Sequence, residues 1–374
     1  MMIQPQSFPD SLDPTHPPAA FEAALTSLVV QVMPAWRGAP LTFHRVSGGI
    51  TNALVRVERA DGRAPPVLVR VFGSGSELLI DRVADDARSA WLGSMGVGPA
   101  VLGAFRNGRV EAWIPRARPL EPPEMGATAP IDLPRAIARE LARFHGLREP
   151  GGGGGGAVLW ERLGAWARLA FPGDAAGCAR WEGEVAALAE VLPSPRNRHG
   201  EALLAALAAG GGAEARARAE GAALAFRVTF CHNDLLSGNV LLLAEETPPR
   251  VALIDFEYGA RNYAGFDVGN HWCEYVGFLP FDLSRLPDEG AQAHFLRAYV
   301  AAMGEAPPEG GAEDAAFWGE LRLQCARFML ASHLWWGLWG RVQAAHNAHT
   351  DFDYALYARE RLAAFEEHKL RLLV

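Results

Sequence analysis

The sequence predicts an α+β protein, β-rich over 19–117 and mainly helical over 118–374, long enough for one large domain or for two lobes with a cleft. Three patterns predict it. Short runs rich in β-branched residues, separated by glycine- and proline-bearing turns, crowd the region from Phe43 to Ile114. Longer stretches with apolar residues three and four apart dominate after Leu133. Two further apolar runs, Val240–Leu243 and Val251–Ile254, flank a polar, proline-broken loop.

In chain order, residues 1–18 are proline-rich and polar, and a mobile segment is expected. Phe21, Leu25, Leu28, Val29 and Val32 have helical spacing. Phe43–Val46 and Leu54–Val57 read as paired strands around the turn Ser47-Gly48-Gly49-Ile50-Thr51-Asn52. Glycines there let backbone N–H groups approach phosphates, and the hydroxyls add donors; an ordinary hairpin turn is the competing reading. Val67–Phe72 is a buried-looking strand with one charge, Arg70, which needs a partner if it is buried. Asp85 and Asp86 on the next helix, 82–95, are candidates, the other reading being an Arg turned to solvent. Strands at Ala100–Phe105 and Val110–Ile114 lead to a hinge at 111–114, where backbone groups could read an adenine edge. Trp113 in that hinge fits a nucleotide contact or the core equally well.

Leu133–His145 is amphipathic, and His145 at its end is read as packing or capping. Gly151–Gly156 reads as a surface-loop expansion, and the Ala- and Arg-rich stretch 201–225 as a supporting helix interrupted by glycines. Helices also follow over 160–170, 178–192, 292–303 and 314–341.

Composition bounds the function. Length and apolar content suffice for a substantial core, and the formal charge of −8 argues against nucleic acid or an anionic membrane surface as main partner. Four scattered cysteines without a Cys-x-x-Cys pair suit reduced thiols rather than disulfides or zinc. The N-terminal stretch lacks the basic-then-apolar pattern of a secretory leader, and no apolar run approaches the ~20 residues of a membrane helix. A cytoplasmic enzyme is expected.

The chemistry concentrates in FCHNDLLSGNVLLL and VALIDFEY. If the two apolar runs pair antiparallel, Asn239 comes near Asp255 at one mouth of the hairpin, and Asp234 can curl back toward it. Such oxygen-rich groups suit Mg²⁺, which takes few protein ligands and leaves room for phosphate oxygens. The competing reading is a hairpin whose Asn and Asp satisfy their own backbone.

His-Asn-Asp-x4-Asn followed by a strand ending Ile-Asp-Phe-Glu resembles the catalytic arrangement of protein-kinase-like phosphotransferases. The resemblance implies a bilobal protein-kinase-like fold, Asp234 as base, and Asn239 and Asp255 as metal ligands. EYGARNYAGFDVGNHWCEY, SHLWWGLW and DFDYALYAR narrow it: the chain resembles the choline/ethanolamine kinases. That family uses ATP and Mg²⁺ to phosphorylate small amino alcohols. By this resemblance Ser47, Gly48, Gly49, Thr51 and Asn52 form the phosphate turn, Arg70 grips phosphates, and Asp85 pairs with Arg70. Trp336, Trp339, Tyr357 and Phe352 would enclose the amine, and Glu274 would supply a countercharge. Trp336 and Trp339 are three apart on one helix face, which also fits plain core packing, with Trp335 turned away. Aromatic faces attract ammonium groups by ~0.5–2 kcal/mol each.

Leu236 and Leu279 stand where choline kinases carry more polar residues, so the resemblance leans to ethanolamine, with choline or dual specificity as the alternative. It implies the first step of the CDP-ethanolamine route to phosphatidylethanolamine. A homodimer stays open. A non-catalytic kinase-like binding module is the rival class, but base and both metal ligands are present. Antibiotic phosphotransferases share HxD-x4-N and IDxx, yet NHWCEY and WWGLW argue against that substrate class.

Overall fold

The structure, a computed structural model, describes residues 5–46, 52–73, 78–150, 155–194, 199–346 and 352–372. In chain order the elements are β1 (Ser7–Phe8), α1 (Pro18–Val32), β2 (Leu41–Val46), β3 (Asn52–Arg59), β4 (Val67–Phe72), α2 (Arg82–Ser94), β5 (Val101–Phe105) and β6 (Gly108–Ala112). Then come β7 (Arg118–Pro119), α3 (Leu133–His145), α4 (Leu159–Leu169), α5 (Ala175–Ala189), α6 (His199–Ala209), α7 (Ala213–Phe226) and β8 (Val228–Cys231). The chain ends with β9 (Val240–Leu243), β10 (Arg250–Leu253), β11 (Ala260–Tyr263), α8 (Ala264–Cys273), α9 (Glu289–Ala302), α10 (Gly311–His346) and α11 (Tyr354–Leu372).

Contacts divide the chain into two units: Met1–Arg118 with Leu241–Tyr258, and Pro119–Val240 with Gly259–Val374. The first departs from the expected boundary, because the segment carrying β10 returns to the strand-rich unit. There Asp255 and Glu257 meet Arg70 and Arg82, and the Phe256 carbonyl accepts from Arg88.

The strand-rich unit is built on a six-stranded sheet, order β1-β5-β6-β4-β3-β2. Alternation along β4 explains its two faces. Val67, Val69 and Val71 pack with Val55, Val57 and Val110 against Phe21, Leu25, Leu28 and Val29 of α1. Arg70, one residue out of phase, lies on the other face. Asp81 starts α2 by accepting from the N–H groups of Val83 and Ala84. The expectation of a mobile N-terminal segment fails. Ser7 and Phe8 pair parallel with Ala104 and Phe105, and Phe8 and Leu12 are buried in this core.

In the helical unit the 36-residue α10 packs against α7, α8 and α11. Close approach to α8 depends on two glycines one turn apart. A Cβ at Gly269 would lie 2.6 Å from the Cys325 carbonyl oxygen, and one at Gly265 would lie 2.6 Å from the Phe328 ring. β8 and β11 pair antiparallel, Cys231 opposite Ala260, a ribbon too short to stand out in the sequence. Among the described residues no helix is long and apolar enough to cross a membrane.

Candidate active site

In the helical unit β8 delivers His232, Asn233 and Asp234 into a loop held from below by Asp267 of α8. Asp267 Oδ2 accepts from the His232 N–H at 2.6 Å and from His145 Nε2 at 3.0 Å, and Oδ1 accepts from the Asn233 N–H at 2.6 Å. His145 Nδ1 lies 2.6 Å from the Tyr299 hydroxyl. Burial pushes the Asp267 carboxyl up, but the His145 hydrogen bond and charge outweigh it, and its pKa lies below the ordinary value. His145 is thus a supporting group, as its place at the helix end suggested. It sits with Cys231 and Asp267 in a compact buried trio. Hydrogen bonds occupy Asp267, and burial holds the Cys231 thiol protonated, which suits structure better than metal ligation. Asn233 has φ 64°, and its Oδ1 accepts from Asn262 Nδ2 at 2.8 Å. His271 bonds the Leu235 carbonyl at 3.0 Å through Nδ1, and burial lowers its pKa to about 4, so it is neutral at physiological pH.

Asn239 donates from Nδ2 to the Asp234 carbonyl oxygen at 2.8 Å and to its carboxylate at 3.1 Å. The amide nitrogen is therefore committed to Asp234, and Oδ1 is the atom left for a cation.

In the strand-rich unit Arg70 is 3% exposed, and its Nη1 lies 3.1 and 3.2 Å from the two oxygens of Asp255. Glu111 lies 3.5 Å from its Nε. Burial pulls the guanidinium pKa down, yet Asp255 and Glu111 hold it above the ordinary value. Asp85 does not pair with Arg70, contrary to expectation. It meets Arg109 at 2.8 Å and Arg82 at 3.3 Å. The reason is register: Arg109 stands directly opposite Arg70 on the neighbouring strand, so it takes the shorter Asp85 side chain, while Glu111 touches both guanidiniums. The pair Arg109 and Glu111, two apart in an apolar strand, was the overlooked signal. Glu257, two residues beyond Asp255, holds Arg82 at 2.9 Å and accepts from Asn52 Nδ2 at 3.3 Å. Burial, with Asp255 adding, raises the Glu257 carboxyl.

The expected phosphate-turn residues Ser47, Gly48, Gly49 and Thr51 lie outside the described residues. Asn52, the next residue, commits its amide nitrogen to Glu257 rather than leaving it for phosphate. In the expected hinge, two backbone donors are taken. The N–H groups of Ala112 and Trp113 are already donated to Ala100 and Pro66, and the Trp113 ring carries the Arg56 guanidinium 5.2 Å from its centroid.

Asp86, 3.3 Å from Arg109, has its carboxyl raised to about 6 by burial, with Arg109 opposing and Asp85 adding. A carboxyl whose folded pKa exceeds its unfolded value penalises the folded state when ionised. The penalty is absent below the unfolded pKa, grows as pH rises toward the folded pKa, and is complete above it. Asp86→Asn is expected to stabilise the protein near pH 8 by about 1–3 kcal/mol, and not near pH 4. Thermal melts at both pH values check this, and equal gains would contradict it.

The predicted amine-enclosing side chains do come together, and two more join them. Trp336 and Trp339 stand 5.4 Å apart edge to face, Trp339 meets Tyr357 at 6.1 Å, and Phe352 meets Tyr357 at 5.6 Å. Phe278 and Tyr354 complete the cluster. Tyr354 is visible in DFDYALYAR, but Phe278 carries no local pattern. Trp335 packs instead against Trp166 and Phe266. The expected countercharge is not available as such: Glu274 is buried and accepts from Arg361 Nη1 at 3.1 Å. Burial pushes the Glu274 carboxyl up, against the pull of Arg361.

The sequence pattern of one family, choline/ethanolamine kinase, matches residues 43–186 and 215–366. A protein of Arabidopsis thaliana described as a probable ethanolamine kinase is 33% identical over 328 residues, 87% of this chain and 79% of that one. The human choline/ethanolamine kinase is 31% identical over 372 residues, covering 90% and 83%. Among solved structures, a choline kinase from Cryptosporidium parvum superposes with TM-score 0.73 at 21% identity, covering 93% of this chain and 96% of that one. A Plasmodium vivax ethanolamine kinase superposes with TM-score 0.72 at 20% identity, covering 94% and 89%. These likenesses show the bilobal kinase-like fold.

Proposed function

We infer the reaction from one premise: this chain belongs to the choline/ethanolamine kinase family. It transfers the γ-phosphoryl group of ATP to the hydroxyl of ethanolamine, giving phosphoethanolamine and ADP. The observation that carries the amine half is the cluster of Trp336, Trp339, Tyr357 and Phe352 in the same helical unit as Asp234.

Asp234 orients the substrate hydroxyl and takes its proton as the oxygen attacks the γ-phosphorus and the bond to the ADP oxygen breaks. Asn239 keeps that carboxylate in place through its amide nitrogen. Arg70 binds phosphate oxygens and, meanwhile, holds the Asp255 carboxylate. Each residue by itself suits Mg²⁺: Asn239 in the helical unit has its oxygen left over, and Asp255 in the strand-rich unit retains lone pairs beyond those facing Arg70, both hard donors. When bound, the ion would offset the negative charge of the transferring phosphate. Trp336, Trp339, Tyr357 and Phe352 hold the ammonium end by their ring faces.

Ethanolamine is favoured over choline by Leu236 and Leu279, and the name of the Arabidopsis relative supports the same choice. Dual specificity is the second reading, favoured by the human relative's name. Turnover of ethanolamine and choline at equal subsaturating concentrations tests the choice. A higher kcat/KM for ethanolamine is expected, and a preference for choline would overturn the substrate while leaving the family standing. Trp339→Leu is expected to raise KM for the amine about 2- to 30-fold without changing KM for ATP. An unchanged amine KM would remove Trp339 from the pocket.

A further inference from the structure

We propose that Arg361 of α11 is a positioning and specificity residue for the amine, an internal cation that neutralises Glu274 and fixes the indole of Trp336 through Ser332 and Asn270. The inference rests on the reading that the aromatic cluster receives the amine, and it concerns how that cluster is set.

Arg361 is fully buried. Its Nη1 donates to Glu274 at 3.1 Å, and its Nη2 donates to Ser332 Oγ at 2.9 Å. Ser332 Oγ in turn donates to Asn270 Oδ1 at 2.9 Å, and that same oxygen accepts from Trp336 Nε1 at 2.7 Å. One chain of hydrogen bonds thus runs from the guanidinium to the indole. The guanidinium carbon also lies 5.8 Å from the centre of the Tyr357 ring, within the range at which a cation is drawn to a π face. Two donors of this network, Arg361 Nε and Asn270 Nδ2, are buried without an acceptor. The network therefore has more donors than acceptors, and Glu274 is the carboxylate that Arg361 pairs with among the described residues.

A charge consequence follows. Glu274 and Arg361 cancel at a distance, so a substrate ammonium at the cluster meets ring faces and the Asp234 carboxylate rather than the charge of Glu274. If Glu274 loses its charge, Arg361 becomes an uncompensated cation against Tyr357 and repels the substrate ammonium. A direct contact between Glu274 and the amine would also make Glu274→Gln harmful. The two accounts part at Arg361, because removing a repelling cation restores binding, whereas removing a bystander does not.

The test is a mutant cycle with KM and kcat measured for ethanolamine and for choline in the full-length protein. Glu274→Gln is expected to raise KM for the amine about 10- to 100-fold, the loss falling on KM more than on kcat, with KM for ATP unchanged. Adding Arg361→Gln should recover most of that loss but leave the amine KM several-fold above the parent, because the link through Ser332 to Trp336 is gone. Adding Arg361→Lys, which keeps the charge, should not recover it. A double variant Glu274→Gln with Arg361→Gln as impaired as Glu274→Gln alone, or worse, would overturn the proposal. Should that double variant fail to fold by thermal melt, Ser332→Ala decides instead. It breaks the link to Asn270, and an unchanged amine KM would contradict the proposal, while a rise of several-fold with kcat retained supports it. A parent enzyme that binds ATP and phosphorylates neither amine would overturn the proposed function itself; missing rescue in an active parent overturns only the role of Arg361.

Discussion

Replacing Asp234 with Asn is expected to lower kcat by about 10²- to 10⁴-fold, the contribution of a positioned general base. The same variant should bind ATP nearly as tightly as the parent. The expectation rests on the Asp234 surroundings. Asn239 Nδ2 bonds the Asp234 backbone oxygen as well as its carboxylate, and an Asn side-chain oxygen can accept that second bond just as well. The loop therefore keeps its shape, and what disappears is proton acceptance. Steady-state turnover and ATP titration check it together. Retained turnover would remove Asp234 from the base role, and lost ATP binding would point to a collapsed site.

Asp267→Asn is expected to cost about 3–5 kcal/mol of stability, the range for breaking a buried charged hydrogen-bond set, and to reduce kcat as well. The carboxylate accepts three donors: the N–H groups of His232 and Asn233, and His145 Nε2. An Asn keeps one acceptor and turns the other into a donor, so either a backbone N–H or the imidazole faces another N–H inside a fully buried site. The backbone that presents Asp234 is then held on one side only. Denaturant unfolding followed with turnover checks both parts, and a variant with parent-like stability would contradict the supporting role.

Much of the fold was legible because it depends on local rules. β4 (Val67–Phe72) and α3 (Leu133–His145) have the bounds that the buried-looking strand and the amphipathic stretch predict. The motif residues were legible for the same reason, since short apolar runs fix which loop each belongs to. Partner choice was not. Arg70 finds Asp255 and Arg361 finds Glu274 across 185 and 87 positions, and no spacing rule reaches that far. Arg70 looked like a partner of Asp85 because Arg109 and Glu111 mark a second buried guanidinium without showing that it faces Arg70 across the sheet. The N-terminal strand was missed because its proline-rich composition reads as mobile, while the burial of Phe8 and Leu12 is decided by α1 and β5. Glu274 looked like a countercharge because its partner comes from a different helix.

The most direct measurement is ³¹P NMR of a reaction of the purified protein with ATP, Mg²⁺ and ethanolamine. The account predicts a phosphomonoester signal from O-phosphoethanolamine that grows in step with ADP, and both signals growing about 10²- to 10⁴-fold more slowly with Asp234→Asn. ADP formed with inorganic phosphate alone, or ATP bound and left intact with both ethanolamine and choline, would contradict it.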